Sequence, residues 1–353
     1  MRSKLIQIGL SVASLALAVT LVVFLPQIVR ALTGKHVSWP EIGAHFAALS
    51  PQSVALMAAV WLLSLLAYTF VLTASLPGLT HLQALTLNAG GSAVSNLLPF
   101  GGAAGVAVTF AMTRGWGFPT RAVVVSTLTS GIWNTLFRFL LPAAGIVALL
   151  ASGQELNPAV TNAGRVGVLS ILALVAVVTA ALYWDRAADL LGRALDALVR
   201  LVPRGVRLSE HTASEALHKL RADTSGIVRR RWPGLTLGMI FFLGFQWLIL
   251  VVCLHATGAY PGLAQSIAAF ALSRVLTTAL VTPSGTGIME AGTIGALVFF
   301  GAPLDSATAA ALLFGFWTYT VEIPFGGLAL GAWALLRRRE AATPAPEKEP
   351  ISR

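Results

Sequence analysis

Long apolar runs separated by short basic segments set the plan of this chain. No Asp, Glu, Lys or Arg occurs from Ile42 to Thr113, from Ala122 to Phe137, from Val166 to Trp184 or from Trp232 to Ser273. A helix needs about 20 apolar residues to cross the hydrocarbon core. On that scale full spans are predicted at 5–26, 51–75, 119–150, 164–184, 232–254 and 303–336. The first is preceded by Arg2 and Lys4 and contains Ala16-Leu17-Ala18, as a secretion signal would. Its apolar run continues to Leu25, which predicts a retained anchor.

Two further apolar regions, 82–113 and 262–300, are interrupted. The breaks are Leu98-Pro99-Phe100-Gly101-Gly102, with Gly105 close behind, and Thr282-Pro283-Ser284-Gly285-Thr286-Gly287. Proline removes a backbone donor and glycine weakens a helix, and 102–113 is too short to span. Both regions are therefore expected to be re-entrant hairpins. Broken backbone at membrane depth survives only where protein or water satisfies its polar groups, so both breaks are expected to line a cavity. The predicted fold class is an all-α polytopic membrane protein with about six full spans plus two re-entrant helical hairpins.

Composition sharpens this picture. The chain is 56% hydrophobic and 11% charged, under half the charged share of a soluble domain. That excludes a water-soluble enzyme, a disordered chain and a nucleic-acid-binding domain. The formal net charge of +10 then reads as orientation and anionic lipid headgroups. With the N-terminus inside, the cytoplasmic segments collect Arg2, Lys4, Arg114, Arg121, the basic run from Arg186 to Arg231, Arg337 to Arg339, Lys348 and Arg353. Only Arg30, Lys35 and Arg165 fall in outside loops. Both termini are thus expected in the cytoplasm. A single cysteine, Cys253, lies in an apolar segment and allows no disulfide framework.

Residues 1–336 form one transmembrane domain on this reading, with halves at about 51–184 and 232–336. The linker 185–231 carries an apolar stripe, Leu191, Leu195, Leu198 and Val202, suited to a helix on the cytoplasmic surface. Residues 37–50, with Trp39, Ile42, Phe46 and Leu49, are expected to form a short interfacial helix outside. The tail 337–353 reads as disordered.

An internal repeat appears when the chain is shifted by 184 residues. Pro99 meets Pro283, Gly101 meets Gly285, Gly117 meets Gly301, Pro119 meets Pro303, Gly131 meets Gly315 and Trp133 meets Trp317. An odd number of spans between the copies predicts that they face opposite sides, the inverted repeat of many secondary transporters. The same shift pairs Arg121 with Asp305 and Arg138 with Glu322. Arg138 and Glu322 lie equally far past their repeat prolines, about 28 Å along a helix, near mid-membrane. A charge there costs at least about 2.5–3.5 kcal/mol. Asn134 and Thr318, one turn earlier, share their faces.

Two readings of this cluster stand side by side: a polar, headgroup-sized site at the repeat interface, or a buried ion pair that fixes the register of the halves. Arg274 and Glu290 flank the second break and are expected to face one another across it. Two Arg and two Glu suit a zwitterionic or anionic phosphate headgroup, with Arg supplying bidentate donors. The N–H groups of Gly101-Gly102 and Gly285 to Gly287 serve either anion binding at half-helix N-termini or close helix packing. Trp133, Trp317 and Tyr319 are assigned to packing or the interface. His36, His45 and Glu41 sit together outside without metal-ligand spacing, and His211 and His218 are assigned to a solvated surface.

The segments Asn96-Leu97-Leu98-Pro99-Phe100-Gly101-Gly102 and Pro283-Ser284-Gly285-Thr286-Gly287-Ile288-Met289-Glu290-Ala291-Gly292 resemble the lysylphosphatidylglycerol synthase transmembrane-region family. This is the flippase-like domain of multiple peptide resistance factors and of many stand-alone bacterial and archaeal membrane proteins. The resemblance runs from about residue 5 to 336 and implies a re-entrant, two-repeat domain that moves lipids between leaflets of a bacterial inner membrane. Many members carry an acidic residue and then an Arg soon after the first glycines. Here Gly105 is followed by Val106, Ala107 and Val108, and the first basic residue is Arg114, so no headgroup preference is carried over.

The leading expectation is a lipid translocator, not an enzyme, that takes a membrane phospholipid or lipid-linked glycan. No nucleic acid, metal or cofactor is expected, homodimerisation is left open, and a separate lipid-modifying enzyme is expected to make any modified lipid. No nucleotide-binding loop sequence is present, which predicts downhill or ion-coupled transport with Glu290 and Glu322 as candidate proton carriers. The alternatives are a membrane-embedded transferase or hydrolase of lipid-linked substrates, and a small-solute secondary transporter.

Overall fold

A computed structural model describes Thr20, residues 23–33, 38–98 and 101–153, scattered positions between 162 and 180, and residues 210–277 and 285–342. The elements in these residues are helical. They are α1 (Leu25–Thr33), α2 (Trp39–Ala47), α3 (Pro51–Ser75), α4 (His81–Leu97), α5 (Gly101–Gly115), α6 (Thr120–Ala151), α7 (Glu210–Thr257), α8 (Leu263–Leu276), α9 (Ile288–Phe299), α10 (Leu304–Gly315) and α11 (Glu322–Ala342). A π-helical turn, Phe316–Thr320, joins the last two. Four stretches, Pro51–Ser75, Thr120–Ala151, Thr224–Thr257 and Leu304–Arg337, are long and apolar enough to cross a membrane. The chain is an all-α polytopic membrane protein.

The spans expected at 5–26 and 164–184 lie largely outside the described residues. So does the linker stripe from Leu191 to Val202; of the tail expected to be disordered over 337–353, residues 337–342 continue the last helix and the rest lies outside the described residues. One boundary differs from expectation. The helix foreseen from 232 begins at Glu210 and runs through Pro233 without a break. Proline costs this helix one backbone bond, yet the flanking turns pack closely on α3. A methyl group on Gly234 would lie 3.1 Å from the Ala74 Cβ, and one on Gly238 2.8 Å from a Val71 methyl. At the other end of the same antiparallel pair, Cys253 Sγ sits 4.0 Å from Met57 Sδ.

The helix starts follow local chemistry. Ser50 Oγ accepts from Ser53 N at 3.1 Å ahead of Pro51, and Thr80 and Gln83 close a reciprocal cap on α4 at 3.2 and 3.0 Å. Neither α4 and α5, at 17 and 15 residues, nor α8 and α9, at 14 and 12, reaches the length of a full crossing. Each pair folds back on itself. A Cβ on Gly101 would stand 2.0 Å from Ser95 O, and one on Gly105 2.2 Å from Ser95 Oγ, so glycine is what lets α5 return against α4. Pro99 and Pro283 lie outside the described residues.

The pair α4–α5 starts and ends at one end of the bundle, since a Cβ on Gly78 would lie 3.7 Å from the Phe118 ring. Arginines collect at this end. Arg114 Nη1 donates to Phe118 O at 3.0 Å, Arg231 Nη1 to Thr73 O at 3.5 Å, and Arg337 Nη1 to Gly115 O. The pair α8–α9 belongs to the other end: α8 follows the end of α7 that carries Cys253, next to Met57 of α3, and Asp305, just past α9, holds His45 at 2.9 Å. Each pair is seated on the final span of the opposite half. A Cβ on Gly326 of α11 would fall 2.0 Å from Ala89 O of α4, and one on Gly145 of α6 3.1 Å from the Ala268 Cα of α8.

The order long, short, short, long recurs in both halves. The left-handed glycines recur with it: Gly117 at φ 87° and Gly301 at 91°, and Gly78 at 93° and Gly262 at 119°. Each of the latter follows a proline, Pro77 and Pro261. A shift of 184 residues superposes the two turns, Pro77-Gly78-Leu79 on Pro261-Gly262-Leu263. A side chain is strained at such φ, which explains glycine at all four corners.

Candidate functional site

A cavity of about 500 Å³ opens within the bundle, walled by α3 to α8, the π-helical turn and the start of α11. Its volume falls in the ordinary range for a small-molecule pocket. It extends from Leu79, Thr113 and Val123, next to the basic end, to Gln246, Arg274 and Thr318 deep in the bundle. Asn88, Ser92, Ser95 and Asn96 of α4 line one wall, and Ser126, Thr127, Ser130 and Asn134 of α6 line another. So polar a surface is expensive among membrane spans unless water or a polar ligand fills it.

Three charged side chains reach this cavity: Arg138, Arg274 and Glu322. Arg138, half-buried on α6, donates from Nε to Asn134 Oδ1 at 3.2 Å. Asn134 in turn gives its amide to Tyr68 OH of α3 at 3.4 Å. Arg274, 7% exposed at the end of α8, donates from Nη1 to Gln246 Oε1 at 2.9 Å and from Nη2 to Tyr319 OH at 3.0 Å. Its guanidinium also stands 5.4, 5.3 and 5.7 Å from the ring centres of Phe270, Phe314 and Tyr319, an aromatic cage favourable to a cation. Glu322, 8% exposed, accepts from Asn96 Nδ2 at 3.1 Å and has Ser92 as a second partner.

The π-helical turn places part of this set. Val321 N reaches back to Phe316 O at 3.0 Å, and Pro324 follows, a residue unable to donate to the Thr320 carbonyl. The widened turn brings Thr318, Tyr319 and Glu322 to the same cavity. Such turns occur often at functional sites.

Most of the residues singled out from the sequence meet here. Arg138, Asn134, Glu322, Thr318, Arg274, Asn96, Gly101, Gly102 and Gly105 all line the cavity. Glu290, Gly285 and Gly287 are not among its lining residues. Glu290, 4% exposed, accepts the Gly287 N–H at 2.5 Å and abuts Gly315, where a Cβ would come within 2.5 Å of its Oε1. That N–H is therefore taken by the protein's own carboxylate and is not free for an anion. Arg274 and Glu290 form no ion pair, and neither do Arg138 and Glu322; the ion pair recorded among the described residues is His45–Asp305. The register-fixing salt bridge is thus replaced by bonds from each charge to neutral partners.

Tyr319, assigned beforehand to packing or the interface, instead bonds Arg274 and lines the cavity. Trp317 and Trp133 do serve packing. Trp317 lies 6.3 Å from Trp61, and Trp133 donates to Thr236 Oγ1 at 3.1 Å. Tyr68 and Gln246 carry no charge to mark them in the sequence, yet both line the cavity. Both were visible as isolated polar side chains inside charge-free spans. Among the described residues no group of three His, Cys, Asp or Glu stands close enough to hold a metal ion.

A family model described as the lysylphosphatidylglycerol synthase TM region matches residues 8–326. No curated protein matches the chain.

Proposed function

The chain belongs to the lysylphosphatidylglycerol synthase transmembrane-region family, and from that premise we propose that this multi-pass membrane protein of lipid handling is a lipid translocator. A polar or phosphate-bearing headgroup enters the cavity while its acyl chains stay in the surrounding lipid. The observation that carries this reading is the polar cavity itself, with Arg138, Arg274 and Glu322 on its wall. Ionisable groups inside a membrane are costly and mark substrate paths.

The helix arrangement supplies a route. On this reading α4–α5 and α8–α9 are re-entrant hairpins of an inverted repeat, entering from opposite sides. Because each is seated on the final span of the other half, rocking one half against the other opens the cavity at one end as it closes at the other. The cavity described here leads toward the basic end, which the positive-inside rule assigns to the cytoplasm of a bacterial inner membrane. Polar groups from α4, α6 and α7 then stand in for the headgroup's water shell throughout the passage. No bond is made or broken on this route, and the protein acts as a carrier and not as an enzyme.

The test is reconstitution in liposomes with headgroup-labelled lipid and a membrane-impermeant quencher. Faster loss of the protected signal than in protein-free vesicles is expected. An unchanged rate for every lipid tried, in vesicles shown to contain folded protein, overturns the proposal.

A further inference from the structure

Two guanidiniums share the deep end of the cavity, and neither forms an ion pair with a carboxylate among the described residues. The acceptors of Arg138 and Arg274 are Asn134, Gln246 and Tyr319, all neutral. Arg274 Nε is buried without any hydrogen-bond partner, on a side chain 7% exposed. Arg138 has a recorded bond from Nε alone, so its terminal nitrogens have no acceptor among the described residues. A buried cationic donor without an acceptor is expensive, and two like charges in a poorly screened cavity repel. The nearby carboxylates are engaged elsewhere: Glu322 by Asn96, and Glu290 by Gly287 at a position off the cavity wall. The residues that line the cavity therefore carry two formal positive charges and one negative, with Glu290 behind Arg274 and off the wall.

We propose that this deep end is a phosphodiester site for a lipid of net negative charge, with Arg138 and Arg274 holding the phosphate oxygens and Glu322 with Asn96 receiving hydroxyl groups of a neutral head. This deepens the translocator reading and rests on it for the lipid's presence in the cavity. The guanidinium fork matches phosphate geometry and binds it bidentately. The Arg138 terminal nitrogens are the donors it would use, with the Arg274 guanidinium, held by Gln246 and Tyr319, supplying a second positive charge on the same wall. Charge balance sets the preference. A singly charged phosphodiester with an uncharged polyol head brings the surface to neutrality, a zwitterionic head leaves one positive charge, and a cationic head adds another. Glu322 alone cannot reverse that order, since it is outnumbered and already accepts from neutral donors.

Binding separates this proposal from translocation. The full chain is placed in phosphatidylcholine nanodiscs and challenged with phosphatidylglycerol, phosphatidylethanolamine, lysyl-phosphatidylglycerol and inorganic phosphate. Phosphatidylglycerol is expected to bind at least about tenfold more tightly than either other lipid. Arg138→Gln, which removes the free fork, is expected to weaken that binding about tenfold to a hundredfold, the range for a lost charge-assisted pair. Arg138→Lys, which keeps the charge but not the fork, is expected to fall between. Inorganic phosphate is expected to compete only weakly.

Preference for the zwitterionic or cationic lipid overturns the proposal, as does unchanged phosphatidylglycerol affinity in folded Arg138→Gln. Inorganic phosphate binding as tightly as the lipid overturns the assignment to a lipid headgroup. A protein that binds with this preference yet moves no lipid keeps the site and loses the translocator reading. One that moves all lipids alike keeps that reading and loses the site.

Discussion

Arg138 and Glu322 are paired by the 184-residue shift, yet each bonds within its own neighbourhood, to Asn134 and to Asn96. Equivalence under a pseudo-two-fold axis brings two residues together only if both lie on that axis. Here they stand around a shared cavity with no ion pair between them. Their contributions to stability are therefore expected to add. In a cycle built from Arg138→Gln, Glu322→Gln and the double variant, the coupling from thermal unfolding in detergent should stay within about 0.3–0.5 kcal/mol. A coupling of several times that size would restore the ion pair. The two charges were legible in the sequence because a charge in an apolar run stands out. Their partners were not, because Asn96, Gln246 and Tyr319 reach the site from elements whose packing no spacing rule supplies.

At the scale of elements, glycines decide how closely helices meet. Gly326 and Gly327 are neighbours on α11 with opposite surroundings. A Cβ on Gly326 would sit 2.0 Å from Ala89 O, whereas nothing lies within 4 Å of one on Gly327. Gly326→Ala should therefore lower stability by about 1–3 kcal/mol, the cost of overpacking. Gly327→Ala should be neutral or stabilise by up to about 1 kcal/mol, as expected for a helix interior. Equal thermal shifts for the two would contradict the seating of α4 on α11. Proline and glycine made the existence of both short pairs readable in advance, since their effect on the backbone is local. The seat of each pair on the opposite half was not readable, because it depends on contacts between segments more than 100 residues apart. The continuation of α7 on the near side of Pro233, back to Glu210, was not readable for a related reason: tertiary packing overrides a single local breaker.

At the scale of the whole molecule, the repeat and its orientation carry the account. The turns at Pro77-Gly78 and Pro261-Gly262 begin α4 and α8 and belong to opposite ends of the bundle. In a Cys253→Ala background, single cysteines at Thr80 and Leu263 should react with a membrane-impermeant maleimide from opposite faces of the membrane. Labelling of both from one face would contradict the inverted arrangement. The central claim, that the headgroup crosses through the charged cavity, is tested most directly by one comparison of rates. Wild-type and Arg138→Gln protein, matched for amount and for unfolding temperature, are reconstituted into vesicles carrying headgroup-labelled phosphatidylglycerol, and its passage between leaflets is timed with an impermeant quencher. The account predicts rapid exchange in wild type and a loss of about tenfold or more in the variant, the consequence of removing one charge-assisted contact. Equal rates in the two proteins would contradict it.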